Sequence, residues 1–320
     1  MPVLETNVDP ASEEFAANRK AMLECLREFE ELTATALEGG GEKYIKRHRE
    51  RGKLLARERI DLLLDRDSPF LELSTLAAWG TDKNLGANLV TGIGVIEGVE
   101  CVILANDPTS QAGSFNRYSL AKSLRAMDIA RQNRLPLINL VESGGADLPD
   151  QAEVFITGGK WFRNLTQLSK LGIPTVAIVF GSSTAGGAYF PAMCDYAIMV
   201  KDQAKVFLGG PPLVKMATGE ESTDEELGGA EMHSRTSGLS DYFAQDEHEA
   251  IRMARDVVSH FNWRKLGYGP TKSPDEPIHD VEDLLGVIPR DLRVPFDQRE
   301  LVARVVDGSR FEEYKALYGT

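Results

Sequence analysis

Short apolar runs alternate with amphipathic segments through the middle of this chain, and this alternation limits the possible folds more than any other feature. The apolar runs lie at residues 135–141, 175–180 and 196–200, and the amphipathic segments around them have helical spacing. Strands that are apolar on both faces are typical of a sheet covered by helices, with crossover connections between the strands. The pattern therefore predicts an α/β fold. A hairpin over residues 89–106, with a Glu-Gly turn, is predicted before it.

The rest of the chain divides into further regions. Residues 1–59 are predicted to form a helical arm, because apolar residues recur there at helical spacing, with an interruption at three consecutive glycines. The α/β region is predicted to cover residues 60–266. Residues 267–297 are rich in proline and aspartate, which indicates a linker, and residues 298–320 have the pattern of the start of another domain.

Charge and composition argue against several classes of function. The net charge of −13 disfavours sequence-independent binding of nucleic acid, which needs a basic surface. The three cysteines and five histidines do not cluster, so neither a disulfide framework nor a metal site is expected. The first residues lack the pattern of a signal peptide, and no apolar run approaches the roughly 20 residues of a membrane helix. We therefore expect a soluble, cytoplasmic protein that does not contact a membrane.

Two glycine-rich turns carry the strongest chemical signal. One lies in residues 180–190, where a strand ends in small residues and Gly186-Gly187 opens a helix, so that backbone N–H groups can approach an anion closely. The other lies in residues 142–148 and comes after the preceding strand in the same position. Each turn alone is explained by a tight strand-to-helix connection. The pair favours a site, because two turns at neighbouring strand ends can each direct one N–H group at a single carbonyl oxygen, as in an oxyanion hole.

A basic stretch and a small-residue loop are weaker candidates. Residues 43–59 contain eight lysines or arginines and form either a solvated helix face or a clamp for the phosphates of a nucleotide-like ligand. Lys122 is a further candidate of that kind. Residues 207–215 follow a strand with a rigid turn that is suited to lining a slot. The sequence contains no nucleophile elbow and no phosphate-loop motif, so covalent and phosphoryl-transfer mechanisms find no support.

Eight segments of the chain match a family of known enzymes in order and spacing. Among them are HRERGKLLARERIDLLLD at residues 48–65, LVESGGADLPDQAEVF at 140–155, GSSTAGGAYFPAM at 181–193 and FDQRELVARVVDGSRFEEYK at 296–315. On these segments the chain resembles the carboxyltransferase β subunits of biotin-dependent acyl-CoA carboxylases, nearest to the methylcrotonoyl-CoA carboxylase branch. The resemblance covers nearly the whole chain.

The resemblance implies a crotonase-like fold behind the helical arm and a carboxyl-transfer activity. In this family CO2 passes from carboxybiotin to an acyl-CoA such as 3-methylcrotonyl-CoA, through an enolate that backbone N–H groups stabilise. The biotin is carried by a partner, the biotin carboxylase and biotin carboxyl carrier α subunit, and is not attached to this chain. The family also implies a homo-oligomer, a hexamer.

The resemblance also assigns roles to individual residues. Gly186 and Gly187 match the glycines that bind the thioester oxygen, and Gly145 and Ala146 match the partner turn of the oxyanion hole. The positions expected to contact the acyl-CoA are Arg49, Arg51, Lys53, Lys122, Gly144, Ala185, Tyr189, Phe207, Gly209, Gly210 and Pro211. Of these, Arg49, Arg51 and Lys53 are expected to bind the phosphates of CoA.

Two departures from the family pattern leave alternatives open. Family members are longer, with a second domain of the same fold that supplies the biotin site, and residues 298–320 match only its beginning, as in a fragment or a split subunit. Asp147 replaces an apolar or aromatic residue, which leaves the acyl group undecided, since a pocket discriminates one methylene by only about 1–3 kcal/mol. A crotonase-superfamily hydratase or isomerase needs a glutamate near Gly186, and residues 185–193 contain none. A noncatalytic acyl-CoA-binding or assembly module is the other alternative.

Overall fold

The computed structural model describes residues 1–265, 267, 269, 272–291 and 293–318, and these form two compact units. The larger unit is Ala34–Leu266, and the smaller unit combines Met1–Thr33 with Gly267–Thr320. Within the described residues, no helix has the length and apolar character needed to cross a membrane.

A mixed sheet forms the centre of the larger unit. Its strands in the described residues are β1 (Leu71–Glu72), β2 (Leu89–Ile96), β3 (Val99–Asn106), β4 (Leu137–Ser143), β5 (Thr175–Thr184), β6 (Tyr196–Val200), β7 (Lys205–Phe207) and β8 (Tyr242–Ala244). The order is β1-β2-β3-β4-β5-β6-β8, and β7 pairs with the far end of β5. The pairs β1 with β2 and β2 with β3 are antiparallel, and the later pairs are parallel. The predicted α/β fold with crossover connections is confirmed.

Helices cover both faces of this sheet. The helices of the described residues, in chain order, are α1 (Glu13–Leu37), α2 (Glu42–Arg49), α3 (Ala56–Leu63), α4 (Arg117–Asn133), α5 (Gln151–Lys170), α6 (Tyr189–Met193), α7 (Pro211–Thr218), α8 (Asp224–Gly228), α9 (Ala230–Met232), α10 (Glu247–Ser259), α11 (Leu284–Val287) and α12 (Gln298–Ala303). Buried residues of α3 and α10 pack with Ile103 and Ile138 on one face, and those of α4 and α5 pack with Leu104 and Leu137 on the other. Consecutive residues of one strand thus pack into the hydrophobic cores on opposite faces of the sheet, which explains why the strands are apolar throughout.

The predicted hairpin is present as β2 and β3. Its turn residues Glu97 and Gly98 both have positive φ, 48° and 74°, as a two-residue turn between twisted strands requires. The carboxylate of Asp65 accepts hydrogen bonds from both N–H groups at 2.8 Å, so a side chain from outside the hairpin satisfies the turn.

Several elements differ from the predicted limits. The sequence pattern predicts a helix over residues 161–170, whereas α5 begins ten residues earlier, at Gln151. The helix includes Gly158 and Gly159, where an added carbon would meet no atom within 4 Å. The break between the compact units falls at Thr33, inside the predicted arm, since Ile60 and Leu63 of α3 belong to the core of the sheet. The functional division of the chain into domains stays a prediction.

The smaller unit is held by buried polar contacts between its two chain segments. Glu300 accepts hydrogen bonds from the Thr6 hydroxyl at 2.6 Å and the Asn7 N–H at 2.8 Å. Arg304, which is 1% exposed, pairs with Glu300 at 2.8 Å and with Asp283 at 3.0 Å. Asp283 belongs to a short 3-10 helix, Val281–Asp283, so the region predicted to be a linker contains helical structure.

Candidate functional site

Three turns meet at one edge of the sheet, where the parallel strands β4, β5 and β7 end. Strand pairing aligns Ser143 with Ser183 and Thr184 with Phe207, so the segments that follow these residues are neighbours. We call residues 144–147 the first turn, residues 185–188 the second turn and residues 208–211 the third turn. The carboxyl ends of strands in open α/β sheets are the usual place for a ligand.

The first turn presents one free backbone donor. The Phe115 N–H donates to Gly145 O at 2.8 Å, and the Asp147 N–H donates to Phe115 O at 2.7 Å. The Gly145 N–H donates to the Ser143 hydroxyl at 3.2 Å. The Ala146 N–H has no hydrogen-bond partner in the part of the chain that the structure describes, and Ala146 is exposed. Of the two expected donors, Ala146 is therefore available to a ligand, while Gly145, at φ 94°, shapes the turn.

The second turn is a single 3-10 turn that begins without a side-chain cap. Its preceding residue, Thr184, is extended, and the first N–H groups of a helix have no partner inside it. Ala185 has φ 52°, a left-handed conformation that L residues seldom adopt. A carbon added at Gly145 would lie 3.4 Å from Thr184 O and 3.9 Å from the Ala185 Cβ, so the first two turns are in van der Waals contact. The structure thus brings the four predicted oxyanion residues to one place.

Gly187 lies at the floor of this place and Gly186 at its rim. Gly187 is buried and its carbonyl accepts a hydrogen bond from the Ser183 hydroxyl at 3.0 Å, whereas Gly186 is exposed. Gly144 and Ala146 of the first turn are also exposed. The region where the two turns meet therefore combines a buried glycine with exposed residues that a ligand can reach.

An aromatic cluster supports the second turn, and none of the motifs in the sequence revealed it. Trp161 of α5 stacks on Phe190 with ring centroids 4.5 Å apart and lies 5.1 Å from Phe115. The ring of Phe162 meets that of Tyr189 edge to face at 5.7 Å, and Tyr189 is 48% exposed. The adjacent aromatic pair at 161 and 162 in a predicted helix was the available signal.

The third turn lies beside the second, as the sequence predicts for a slot. Phe207 is the β7 residue paired with Thr184, and a carbon added at Gly210 would lie 3.3 Å from its ring. Pro211 begins α7, so the segment is the first turn of a helix rather than a continuous loop. Gly209 also has little room, because an added carbon would lie 2.8 Å from Leu213.

The predicted phosphate-binding residues point in three different directions. Arg51 is exposed and lines an open cleft, together with Arg47 and Tyr44 of α2. Arg49 instead pairs with Glu58 at 2.6 Å, and Lys53 turns inward. Arg47 was missed within the basic stretch, because spacing alone did not show which of its residues face the cleft.

Ala112 joins this cleft to the first turn. Ala112 lines the cleft, and its carbonyl accepts a hydrogen bond from the Gly144 N–H at 2.9 Å. Gln111 and Ala112 have φ 47° and 54°, so both are left-handed and the segment doubles back sharply. The arginine-lined cleft and the oxyanion turns are therefore adjacent parts of one surface.

Lys122 lies away from the cleft. It is 5% exposed, and its ammonium group donates to Leu89 O at 2.6 Å and to Gly86 O at 3.2 Å. Burial lowers the pKa of Lys122 to about 8. A lysine whose charge is enclosed by backbone carbonyls supports the fold, and the structure does not bring it together with Arg51.

The buried position of Lys122 has a measurable consequence. Because its pKa is lowered in the folded chain, the charged form is disfavoured there, so its contribution to stability increases as the pH rises from about 8 to the unfolded value of 10.5. We expect this contribution to reach about 3 kcal/mol. Urea unfolding of the wild type and Lys122→Met between pH 7 and 10.5 measures it as the change in their stability difference. A difference that stays constant across this range would contradict the assignment.

A charged cluster surrounds Asp147, at the end of the first turn. The Lys83 ammonium lies 2.8 Å from Asp147 and 3.3 Å from Asp150, and its side chain is 8% exposed. Lys83 thereby fixes the segment just beyond the first turn. The side of the site near Asp147 is consequently polar.

Comparison with known proteins places this architecture in a family. Residues 47–320 match the carboxyl transferase domain, and the chain belongs to the carboxyl transferase family. It is 58% identical, over 99% of its length, to a probable biotin-dependent acyl-coenzyme A carboxylase β2 subunit of Mycobacterium tuberculosis. It is 47% identical to a probable mitochondrial methylcrotonoyl-CoA carboxylase β chain of Drosophila melanogaster, again over 99% of its length. The chain spans 60% and 59% of these two relatives.

A solved structure agrees. The β subunit of geranyl-CoA carboxylase from P. aeruginosa superimposes with a TM-score of 0.88 at 43% identity, covering 97% of this chain and 58% of that one. The crotonase-like α/β fold and the resemblance to acyl-CoA carboxylase β subunits are both confirmed.

Proposed function

We propose that this chain provides the acyl-CoA-binding site of a carboxyltransferase that transfers CO2 from carboxybiotin to an acyl-CoA. The observation that carries this proposal is the junction at Ala112, where a cleft lined by Arg47 and Arg51 meets the oxyanion turns. CoA thioesters have phosphates at one end and a carbonyl at the other, and the surface offers cations and N–H donors in the same order.

The mechanism needs only backbone groups at the reacting carbonyl. Loss of a proton from the Cα or the vinylogous Cγ of the thioester moves an electron pair toward its oxygen, and the resulting enolate forms the new C–C bond with CO2. The N–H groups of Ala146 and of the second turn stabilise the charge on that oxygen. Carboxybiotin, when bound, supplies the CO2 and accepts the proton. Gly144 and Gly186, next to these donors, are exposed to solvent.

The same geometry disfavours a hydratase or isomerase. Such an enzyme needs a carboxylate that exchanges protons at the thioester, and Glu142 is the glutamate that precedes the first turn. Its carboxylate lies 2.5 Å from Lys53 and 2.8 Å from Arg59. Burial alone would raise the pKa of Glu142, but the charges of Arg59 and Lys53 hold it below the ordinary value. The Glu142 carboxylate therefore stays ionised and bound to Lys53 and Arg59, so it is not available to exchange protons at the thioester.

We further propose that the biotin is carried by an α subunit with biotin carboxylase and carrier functions, that the β chains assemble as a hexamer, and that the reaction takes place in the cytoplasm. The proposed substrate is an acyl-CoA such as 3-methylcrotonyl-CoA. We expect the polar cluster at Lys83 and Asp147 to influence which acyl group is accepted.

Calorimetry with 3-methylcrotonyl-CoA, propionyl-CoA and free CoA at two salt concentrations tests the proposal. We expect all three to bind, with weaker binding at high salt and a preference among the acyl groups. Arg51→Ala should raise each Kd about 10- to 100-fold, since a hydrogen bond to a charged group contributes roughly 1.5–3 kcal/mol. Arg66→Ala is the matched control, because Arg66 is almost fully exposed, at 95%, on a different turn. Equal Kd values for the wild type and Arg51→Ala would show that the cleft does not bind the phosphates of CoA.

A further inference from the structure

Beneath the two oxyanion turns lies a buried ion cluster that the proposed reaction does not use. It consists of Lys53, Arg59, Glu142 and Glu247, whose side chains are 12%, 1%, 11% and 4% exposed. Arg59 forms two hydrogen bonds with Glu247, both at 2.8 Å, and lies 2.8 Å from Glu142. Two cations and two anions balance, so the cluster is neutral as a whole.

The cluster occupies an irregularity in the sheet. Val141 pairs with Val179 and Ser143 pairs with Ser183, so Glu142 alone on β4 opposes three residues of β5, at positions 180–182. Additional residues of this kind bend a strand and change the direction of the chain beyond it. The two turns begin just past this bulge, one on each strand. The geometry of the bulge therefore determines how far apart the turns lie.

Lys53 spans the bulge from one strand to the other. Its ammonium donates to Glu142 Oε1 at 2.5 Å and to Phe180 O at 2.8 Å, where the backbone ladder is interrupted. Arg59 adds a second link, because its guanidinium lies 4.3 Å above the Phe180 ring while pairing with Glu142. Both strands are thus fixed at the residues that precede the turns.

Gly181 shows that the sequence of β5 leaves room for this arrangement. A carbon added at Gly181 would lie 2.5 Å from Glu142 Oε1 and 2.6 Å from its Cδ. Contacts this short exclude any side chain at position 181 unless the carboxylate moves. The carboxylate cannot move freely, since Lys53 and Arg59 both bind it. Glycine at this position is therefore matched to the ion pair.

We propose that Lys53 and Glu142 are positioning residues, whose ion pair sets the separation of the two turns so that their N–H groups converge on one thioester oxygen. This inference rests on the proposed function and deepens it. It also replaces the expectation that Lys53 binds a phosphate of CoA, because the Lys53 side chain is buried and directed away from the arginine-lined cleft.

The test measures acyl-CoA binding separately from the polarisation of the thioester carbonyl. Calorimetry gives the Kd of 3-methylcrotonyl-CoA for this chain, and isotope-edited infrared spectroscopy gives the shift of the bound thioester C=O stretch. Lys53→Met and Glu142→Gln should bind with a Kd within about threefold of wild type but lose most of the shift. In the complete enzyme they should lower kcat about 10²-fold, in the range found when an oxyanion donor is lost, with KM little changed. Lys53→Arg should restore part of the shift.

Matched variants make each outcome decisive. Lys265→Met removes a surface ion pair with Glu100, 2.7 Å long and 44% exposed at Lys265, and should leave both readouts unchanged. If Lys53→Met does not fold, Gly181→Ala, which crowds Glu142 without removing a charge, should give the same loss of shift. A full wild-type shift in Lys53→Met or in a folded Gly181→Ala would overturn the positioning role. Failure of the wild type to bind acyl-CoA would refute the proposed function itself.

Discussion

Gly187→Val is expected to lower the turnover of the complete carboxylase at least 10²-fold while the chain still folds. A first carbon at Gly187 meets only ordinary contacts, 3.6 Å from the Ser183 hydroxyl and 4.0 Å from Phe115. We expect the two further methyl groups of valine to take up the space of the thioester oxygen. Loss of one oxyanion donor in other enzymes lowers kcat about 10²- to 10³-fold.

Two comparisons make this measurement specific. Gly187→Ala should retain more activity than Gly187→Val, because its single carbon fits. Gly159→Val is the matched control, since a carbon at this position of α5 meets no atom within 4 Å. Turnover is measured with the partner subunit and carboxybiotin, and circular dichroism verifies the fold. Normal turnover by a folded Gly187→Val would disprove the oxyanion role of the second turn.

Arg59→Met is expected to destabilise the chain by about 3–5 kcal/mol, the usual range when one partner of a buried ion pair is removed. Arg59 is 1% exposed and serves both Glu142 and Glu247, so its loss leaves two buried carboxylates with Lys53 as the remaining cation of the cluster. Burial lowers the pKa of Arg59, but its bonds to Glu247 and the charge of Glu142 outweigh this and raise it, so the cation is stable in place.

Urea unfolding at neutral pH measures this effect. The double variant Arg59→Met with Glu247→Gln should recover part of the lost stability, because it removes one of the unpaired carboxylates. Arg66→Met, at an exposed position, should change stability by less than about 0.5 kcal/mol. A decrease in the free energy of unfolding of less than about 1 kcal/mol in Arg59→Met would contradict this prediction. It would show that water or rearranged side chains stabilise the two remaining carboxylates.

Local chemistry made much of this fold predictable. The Glu97-Gly98 turn and the apolar strands at both sides of it specify a hairpin through φ and periodicity, and the structure contains that hairpin. The crossover pattern also follows from strands that serve two cores. The start of α5 could not be predicted, because Gly158 and Gly159 lower the helix propensity of the sequence even where no atom packs against them.

The candidate site was predictable in its turns but not in its charges. The two glycine turns come after adjacent strands in the sequence, so their meeting could be inferred. The partners of Lys53 could not, because Glu142 is 89 residues away and a basic run does not reveal which of its members faces inward. For the same reason, the sequence did not show that Arg47 lines the cleft. It also did not show that backbone carbonyl groups enclose the ammonium group of Lys122.

Alanine rather than glycine at position 185 shows that this chain does not maximise its own stability. The left-handed conformation at φ 52° costs an alanine roughly 1–2 kcal/mol, and a glycine would adopt it without that penalty. A glycine would also allow the backbone to sample many other conformations before a substrate arrives. The strained alanine limits these conformations. The chain is therefore less stable, but the directions of the backbone N–H groups in the second turn are fixed before the substrate binds.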